Sequence, residues 1–361
     1  MDIQALQNEA VQLLREMIAI PSTSFNEDAV CSHICGWMTE RGIVHERIGN
    51  NIIAEHICDS SAPTLMLCAH IDTVEPCEGY TFNPYGPEVC TEGLVQGLGS
   101  NDDGASVVSM IAAYRYAICT AVNLILVLTC EEERSGKGGM TGLWGKRIYS
   151  RKDAQQNGCT PVDYAIVGEP TGMKAAIAER GLLVIDAVAE GVSGHAARNE
   201  GVNALYIAME DIQTLRSHDF AKMSPRMGKV NLNVTQINAG TAHNVIPDRC
   251  SFVIDIRPTE QYTNQEILEE LQAICKSRLT ARNLHNQSSA TFESSHLQNV
   301  AEELGIETFS SPTTSDWMRI DCDAIKMGPG DSARSHKKDE YVTVGEIRDG
   351  IKTYIEFIER L

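Results

Sequence analysis

Residues Leu65 to Val74 read LMLCAHIDTV, an apolar run that delivers His70 and Asp72 at the point where the run stops. On a strand, residues i and i+2 share a face, so the two side chains leave the sheet together. A neutral imidazole is a first-choice ligand for a borderline metal such as zinc. A carboxylate two residues on is placed to bond the other ring nitrogen and fix its tautomer. Taken alone, His-x-Asp at a strand end is more often an ordinary turn, and the decision comes from the rest of the chain.

Two more apolar runs end in acids. Leu124 to Cys130, LILVLTC, stops at Glu131, Glu132 and Glu133, and the run Asp163 to Val167 stops at Gly168, Glu169 and Pro170. Three adjacent acids after a buried strand are costly to hold together unless something positive lies among them, the alternative being a solvated acidic turn. Between the runs, GLGSNDDGASVV passes from glycines into a helix. Its glycines superficially match a dinucleotide fingerprint, but Asp102 stands where the third glycine belongs and its charge suits a cation. Buried strands separated by helical segments predict an α/β sheet with its chemistry at the carboxyl ends, where His70, Glu132, Glu133 and Glu169 sit.

Working outward, helical spacing predicts a first helix ending near Ile20, before Pro21, and a second over Glu27 to Arg41, stopped by Gly42. Short strands are expected at Ile43–Ile48 and Asn51–His56, and a Gly/Pro-rich loop over Glu75–Gly93. From about Ala176 the pattern becomes half-exposed alternation: Val184, Ile185 and Val188, then Val230, Leu232, Val234 and Ile237, then Phe252, Ile254 and Ile256. Helices over Val202–Arg216 and Asn264–Lys276 intervene. This reads as a compact α+β unit over 176–287 interrupting an α/β domain made of 1–175 and 288–361. Ile347, Ile351, Tyr354, Ile355, Ile358 and Leu361 form the apolar stripe of a terminal helix.

The 361 residues exceed the usual size of a single core, which agrees with two domains. An apolar share of 43% and a charged share of 22% are those of an ordinary globular protein. A formal charge of -19 argues against nucleic acid or an anionic membrane as partner. The twelve cysteines include no CxxC pair, and Cys68, Cys130 and Cys250 lie inside strand-like runs, so a reduced cytoplasm is expected. The N-terminal stretch lacks a basic region followed by an apolar block, and no segment approaches a membrane span, so the protein is expected to be soluble and unexported.

The motifs AHIDTV, GxGxxDDGA, TCEEE, VGEPT, GVSGHAAR, AHNVIPD, DIRP and SHKKDEYV, in this order, resemble those of the zinc-dependent aminoacylase and carboxypeptidase superfamily of M20-type metallohydrolases. The branch most resembled is that of acetylornithine deacetylase and succinyl-diaminopimelate desuccinylase. The resemblance covers nearly the whole chain. It implies a three-layer catalytic α/β domain with a mixed sheet, interrupted by an inserted α+β lid that also dimerises.

By motif position it implies that His70 and Glu169 bind one metal, Glu133 and His336 the other, and Asp102 bridges them through a cis Asp102–Asp103 peptide. Asp72 would orient His70, and Glu132 would be the general base. His195 of the lid would reach the partner subunit's site and stabilise an oxyanion. Asn244 and Arg257 match positions that hold a substrate carboxylate. Thr314, Ser315 and Asp316 match a loop lining the acyl pocket, with the turn Gly328 to Gly330 beside it. The family usually has Asp-Glu-Glu where this chain has Glu131, Glu132 and Glu133, which leaves the role of Glu131 open. His33, His45 and His296 carry no motif and read as structural.

The implied activity is hydrolysis of an N-acetyl or N-succinyl amino acid by a homodimer carrying two Zn2+ per subunit, with Co2+ able to substitute. Nα-acyl-ornithine or Nα-acyl-citrulline, in arginine biosynthesis, comes first. A diaminopimelate desuccinylase or a di- or tripeptidase comes next. The rival of a different class is a metal-binding relative without catalysis.

Overall fold

The computed structural model describes residues 2–86, 93–117, 122–153, 161–198 and 200–361, so the loop expected over Glu75–Gly93 lies partly outside the described residues. The chain divides into two compact units. The first comprises Met1–Ile177, Thr291–Phe309 and Ser315–Leu361, and the second Ala178–Ala290 and Ser310–Thr314.

In the first unit the strand Thr64–His70 is buried at every position. It runs parallel to Asn123–Thr129 on one side and to Tyr164–Val167 on the other, and Asp323–Lys326 extends the parallel set. Asn51–His56 joins antiparallel beyond Asn123–Thr129, which makes the sheet mixed. Side-chain alternation splits each central strand between two cores. Leu65, Leu67 and Ala69, with Leu124, Leu126 and Leu128, pack under the helices Ile3–Ile18, Asp28–Glu40, Ala105–Tyr116 and Val344–Arg360. Met66 and Cys68, with Ile125 and Val127, face Met140, Leu143, Ile148 and Trp317. Covering both faces is what lets parallel strands be apolar throughout, and it gives the three layers expected. Buried Cys68 and Cys130 carry no disulfide, and among the described residues no helix is long and apolar enough to cross a membrane.

The second unit is a four-stranded antiparallel sheet in the order Asn231–Ala239, Arg249–Arg257, Leu183–Glu190, Arg278–Ala281. Here alternation is strict: Leu183, Ile185, Ala187 and Ala189, with Cys250, Phe252, Ile254 and Ile256, form a core together with residues of the helices Ala204–Ser217 and Asn264–Ile274. The edge strand Asn231–Ala239 pairs only on its Arg249–Arg257 side among the described residues, and most of its length is exposed.

Candidate metal centre

His70 ends its strand almost fully buried. Its Nδ1 lies 2.9 Å from the backbone carbonyl of Asp72 and its Nε2 3.2 Å from Asp102 Oδ1. A carbonyl only accepts, so Nδ1 carries a proton, and Nε2 is the ring nitrogen that faces Asp102. Asp72 thus meets the ring first through its carbonyl, with its carboxylate further off, 3.5 Å from the same nitrogen. That carboxylate instead accepts the N–H groups of Glu132 and Glu133 at 3.0 and 3.2 Å, and the Ser24 hydroxyl at 2.7 Å.

The acid turn is held by a second buried carboxylate that sequence reasoning missed. Glu27 Oε1 accepts the N–H of Glu131 at 3.1 Å. Glu131 itself sits at φ 59, and its carboxylate turns away to accept the N–H of Gly138 at 2.8 Å. A Cβ at Gly136 or Gly138 would come within 2.1 or 2.3 Å of a Glu131 carboxylate oxygen, so those glycines make room for this side chain. Glu131 thus braces a loop and lies outside the acid cluster.

Asp102 enters from the turn before helix Ala105–Tyr116, and the Asp102–Asp103 peptide is cis. Its Oδ1 faces His70 Nε2, while its Oδ2 lies 3.7 Å from His336 Nε2. His336, at φ 58 on a loop and about half exposed, also contacts Glu133 Oε1 at 3.0 Å. One carboxylate therefore offers one oxygen toward each histidine. Ligand atoms of His70, Asp102 and Glu133 lie within 4.8 Å of one another, as do those of His70, Glu132 and Glu169. The Gly328–Gly330 turn closes on this centre from behind, since a Cβ at Gly328 would meet the Glu169 carbonyl at 2.6 Å.

The electrostatics are those of a buried anionic cluster. Burial, together with the charge of neighbouring acids, pushes Glu132 and Glu169 well above the usual carboxylate range. Burial opposes protonation of His70, yet its hydrogen bonds to Asp102 and Asp72 carry it well above the usual histidine value. The hydrogen bond to Glu133 raises His336 to about 9. Two imidazole nitrogens among four carboxylates, each histidine aimed at an acid, form a nitrogen and oxygen donor set that fits divalent zinc or cobalt.

Ser315 and Asp316 belong to this unit and are buried. Ser315 Oγ caps the N–H of Trp317, and Asp316 accepts the Thr129 hydroxyl at 2.6 Å. Burial lifts Asp316 to about 6. His33 and His45 are used structurally, on Glu16 at 3.0 Å and on the Ile43 carbonyl at 2.9 Å. His296 packs tilted against Tyr164.

Thr314 falls in the second unit, with His195, Asn244 and Arg257. His195 is exposed in a two-residue ladder with Val245, and the Asn244 carbonyl accepts the Ala196 N–H at 3.0 Å, so the structure brings His195 and Asn244 together. The His195 Nδ1 accepts the Ala197 N–H at 3.2 Å, which leaves Nε2 to carry a proton outward. Arg257 ends the strand Arg249–Arg257, its guanidinium forked on Asp255 at 2.8 and 3.2 Å.

Comparison with known proteins follows the same division. Residues 177–283 match the M20 peptidase dimerisation domain, and residues 51–166 match peptidase family M28. An acetylornithine deacetylase of Proteus mirabilis is 27% identical over 93% of this chain and 92% of its own length. A succinyl-diaminopimelate desuccinylase of Xylella fastidiosa is 27% identical over 98% of this chain and 99% of its own. Aminopeptidase PepT of Bacillus cereus superposes with a TM-score of 0.76 at 17% identity, covering 98% of both chains. A mixed three-layer α/β domain, an inserted stretch that matches a dimerisation domain and relatives matched end to end converge, and the chain is similar along its whole length to M20-type metallohydrolases of the aminoacylase and carboxypeptidase superfamily.

Proposed function

We propose that this protein hydrolyses the amide of a small N-acyl amino acid, removing an acetyl or succinyl group, with Nα-acyl-ornithine or Nα-acyl-citrulline as the first substrates. The observation that carries the reading is Asp102, one oxygen toward each histidine, with Glu132, Glu133 and Glu169 gathered around the same pair. His70 and Glu169 would hold one metal ion, Glu133 and His336 the other, and Asp102 both. Two zinc ions, when bound, supply Lewis acidity that brings a water pKa toward neutrality and polarises the acyl carbonyl. Glu132 takes the proton of the attacking water and returns it to the leaving amine. The backbone bonds from Asp72 to the turn hold Glu132 in place while it does so. His195, with its Nε2 proton outward, donates to the oxyanion in the neighbouring subunit's site.

A homodimer through the second unit is supported by its edge strand Asn231–Ala239 and by exposed Tyr206, Met209 and Ile237. Asn244 precedes the strand Arg249–Arg257, whereas Arg257 ends it. At about 3.3 Å per residue a strand of this length separates its ends by roughly 25 Å, so both side chains could hold one small carboxylate only if two copies supplied them. Unbridged buried thiols support a reducing, cytoplasmic setting.

The test is a panel of N-acetyl and N-succinyl ornithine, citrulline and diaminopimelate, with di- and tripeptides, assayed after addition of zinc or cobalt. Release of free amine from an N-acyl amino acid, above any peptide cleavage, is the expected result. Peptide cleavage alone would replace the acylase reading with a peptidase one. Full metal occupancy without turnover on any member would leave a binding protein.

A further inference from the structure

Glu340 is only 2% exposed, although Lys337 and Lys338 just before it are exposed. Its carboxylate accepts three backbone N–H groups of one turn. Gly99 donates to Oε2 at 3.1 Å, and Asn101 and Asp102 donate to Oε1 at 2.9 Å each. The Glu340 carbonyl also accepts the N–H of Gly97 at 3.0 Å, and the next residues pair as a ladder, Tyr341 with Gln96 and Val342 with Val95. Gly99, at φ 74, turns the backbone so that these N–H groups converge, as they do in concavities that bind anions.

A buried carboxylate costs stability unless its oxygens are hydrogen-bonded, and an apolar side chain here would leave three N–H groups without acceptors. The partner gained is specific. Glu340 lies four residues after His336 and is bonded to the peptide of Asp102. It joins the two chain segments that present these side chains to each other at 3.7 Å. The His336 loop is fastened at a second point, where Asp339 Oδ1 accepts the N–H and hydroxyl of Thr81 at 2.7 and 3.0 Å.

We propose that Glu340 is a positioning residue that sets the placement of Asp102 relative to His336 and thereby the metal affinity of the centre; this rests on the reading that those two residues hold metal. Glu340 touches neither metal nor substrate, and its effect travels through the Asp102 backbone. Groups that orient ligands in this way typically contribute about 10–100-fold in metal affinity.

Glu340→Gln keeps the shape but turns an NH2 group toward backbone donors. The measurement is zinc binding by metal-free protein in competition with a chromogenic chelator, together with the visible absorption of the cobalt form. The control is Asp323→Asn. Asp323 is another buried carboxylate, which accepts the Ser295 hydroxyl at 2.9 Å and the His296 N–H at 3.0 Å and bonds no ligand residue. We expect Glu340→Gln to lose about 10–100-fold in zinc affinity with an altered cobalt spectrum, and Asp323→Asn to bind like the wild type even where its Tm falls. Wild-type affinity in folded Glu340→Gln, or an equal loss in Asp323→Asn, overturns the proposal. If Glu340→Gln does not fold, Glu340→Asp, which withdraws the same charge by one methylene, takes its place and must show the loss. Failure of both to fold assigns Glu340 to the fold alone and overturns the proposal equally. Absence of saturable zinc binding by the wild type would instead remove the metal reading underneath.

Discussion

Glu131, Glu132 and Glu133 are neighbours with the same chemistry, and the backbone gives each a different partner. Glu131 turns back to Gly138, Glu132 faces His70 and Glu169, and Glu133 meets His336. The separation is enforced by Glu27 and Asp72, which between them accept all three N–H groups of the turn. Glu132→Gln should therefore keep both metals and lose hydrolysis, by ~100 to 10,000-fold in kcat, because it removes a proton acceptor without removing a ligand. Metal analysis beside the kinetics checks this, and metal content falling in step with activity would make Glu132 a ligand. The acids at strand ends were legible because each interrupts an apolar run. Glu27 and Glu340 were not, because they act on backbone N–H groups 104 and up to 241 residues away, and nothing local distinguishes such an acid from a solvated one.

At the scale of elements, the helix Val344–Arg360 illustrates how local chemistry reaches the site. It buries Ile347, Ile351, Tyr354, Ile355 and Ile358, the stripe expected from its spacing. Its start is a capping box: Thr343 Oγ accepts the Glu346 N–H at 3.0 Å, and Glu346 Oε2 accepts the Thr343 N–H at 2.8 Å. Thr-x-x-Glu before an apolar stripe is a readable signal that sequence analysis passed over. The same Glu346 oxygen takes Arg334 at 3.0 Å, two residues before His336, so the cap also tethers the loop that carries a candidate ligand. Thr343→Ala should cost about 1 kcal/mol, seen as a lower Tm of the metal-free protein.

Burial opposes ionisation of Glu346, but its hydrogen bonds to Arg334 and Thr343 hold its carboxyl below the ordinary value of 4.5. A folded-state pKa below the unfolded one means the stabilisation is fully present above about 4.5 and is lost as pH falls through the folded value. The Tm deficit of Glu346→Gln should accordingly be constant near neutrality and shrink in acid. A deficit that grows as the pH falls would contradict the assignment.

For the whole molecule, the decisive prediction concerns two copies. If His195 serves the neighbouring subunit, His195→Ala and Glu132→Gln should rescue each other when mixed. In a mixed two-fold dimer one site then carries both lesions and the other neither, so random mixing recovers up to about a quarter of wild-type sites. Loss of His195 should depress kcat more than it raises KM, because an oxyanion donor acts mainly in the transition state. Mixed dimers confirmed by mass but without recovered activity would place His195 in its own subunit's site or outside catalysis. The insert was legible as a change of period, from continuous apolar runs to strict alternation at Leu183–Glu190 and Arg249–Arg257. The excursion of Ser310–Thr314 into the second unit was not legible, because the end of a short strand followed by a loop has no period of its own, and it places Thr314 and Ser315, adjacent in sequence, in different units.

The discontinuity of the first unit fixes an order of events during synthesis. His70, Asp102, Glu133 and Glu169 leave the ribosome before the insert does, and His336 and Glu340 only after it. For the time it takes to make the insert, a nascent chain holds a cluster of acids with one of its two histidines. The turn at Asp102 still lacks the carboxylate that braces it, and the sheet still lacks the strand Asp323–Lys326 and the helix Val344–Arg360. An ion bound at that stage would meet an incomplete set of oxygen donors with a single imidazole. If the centre holds zinc as proposed, its full nitrogen and oxygen donor set exists only once the chain beyond the insert has been made.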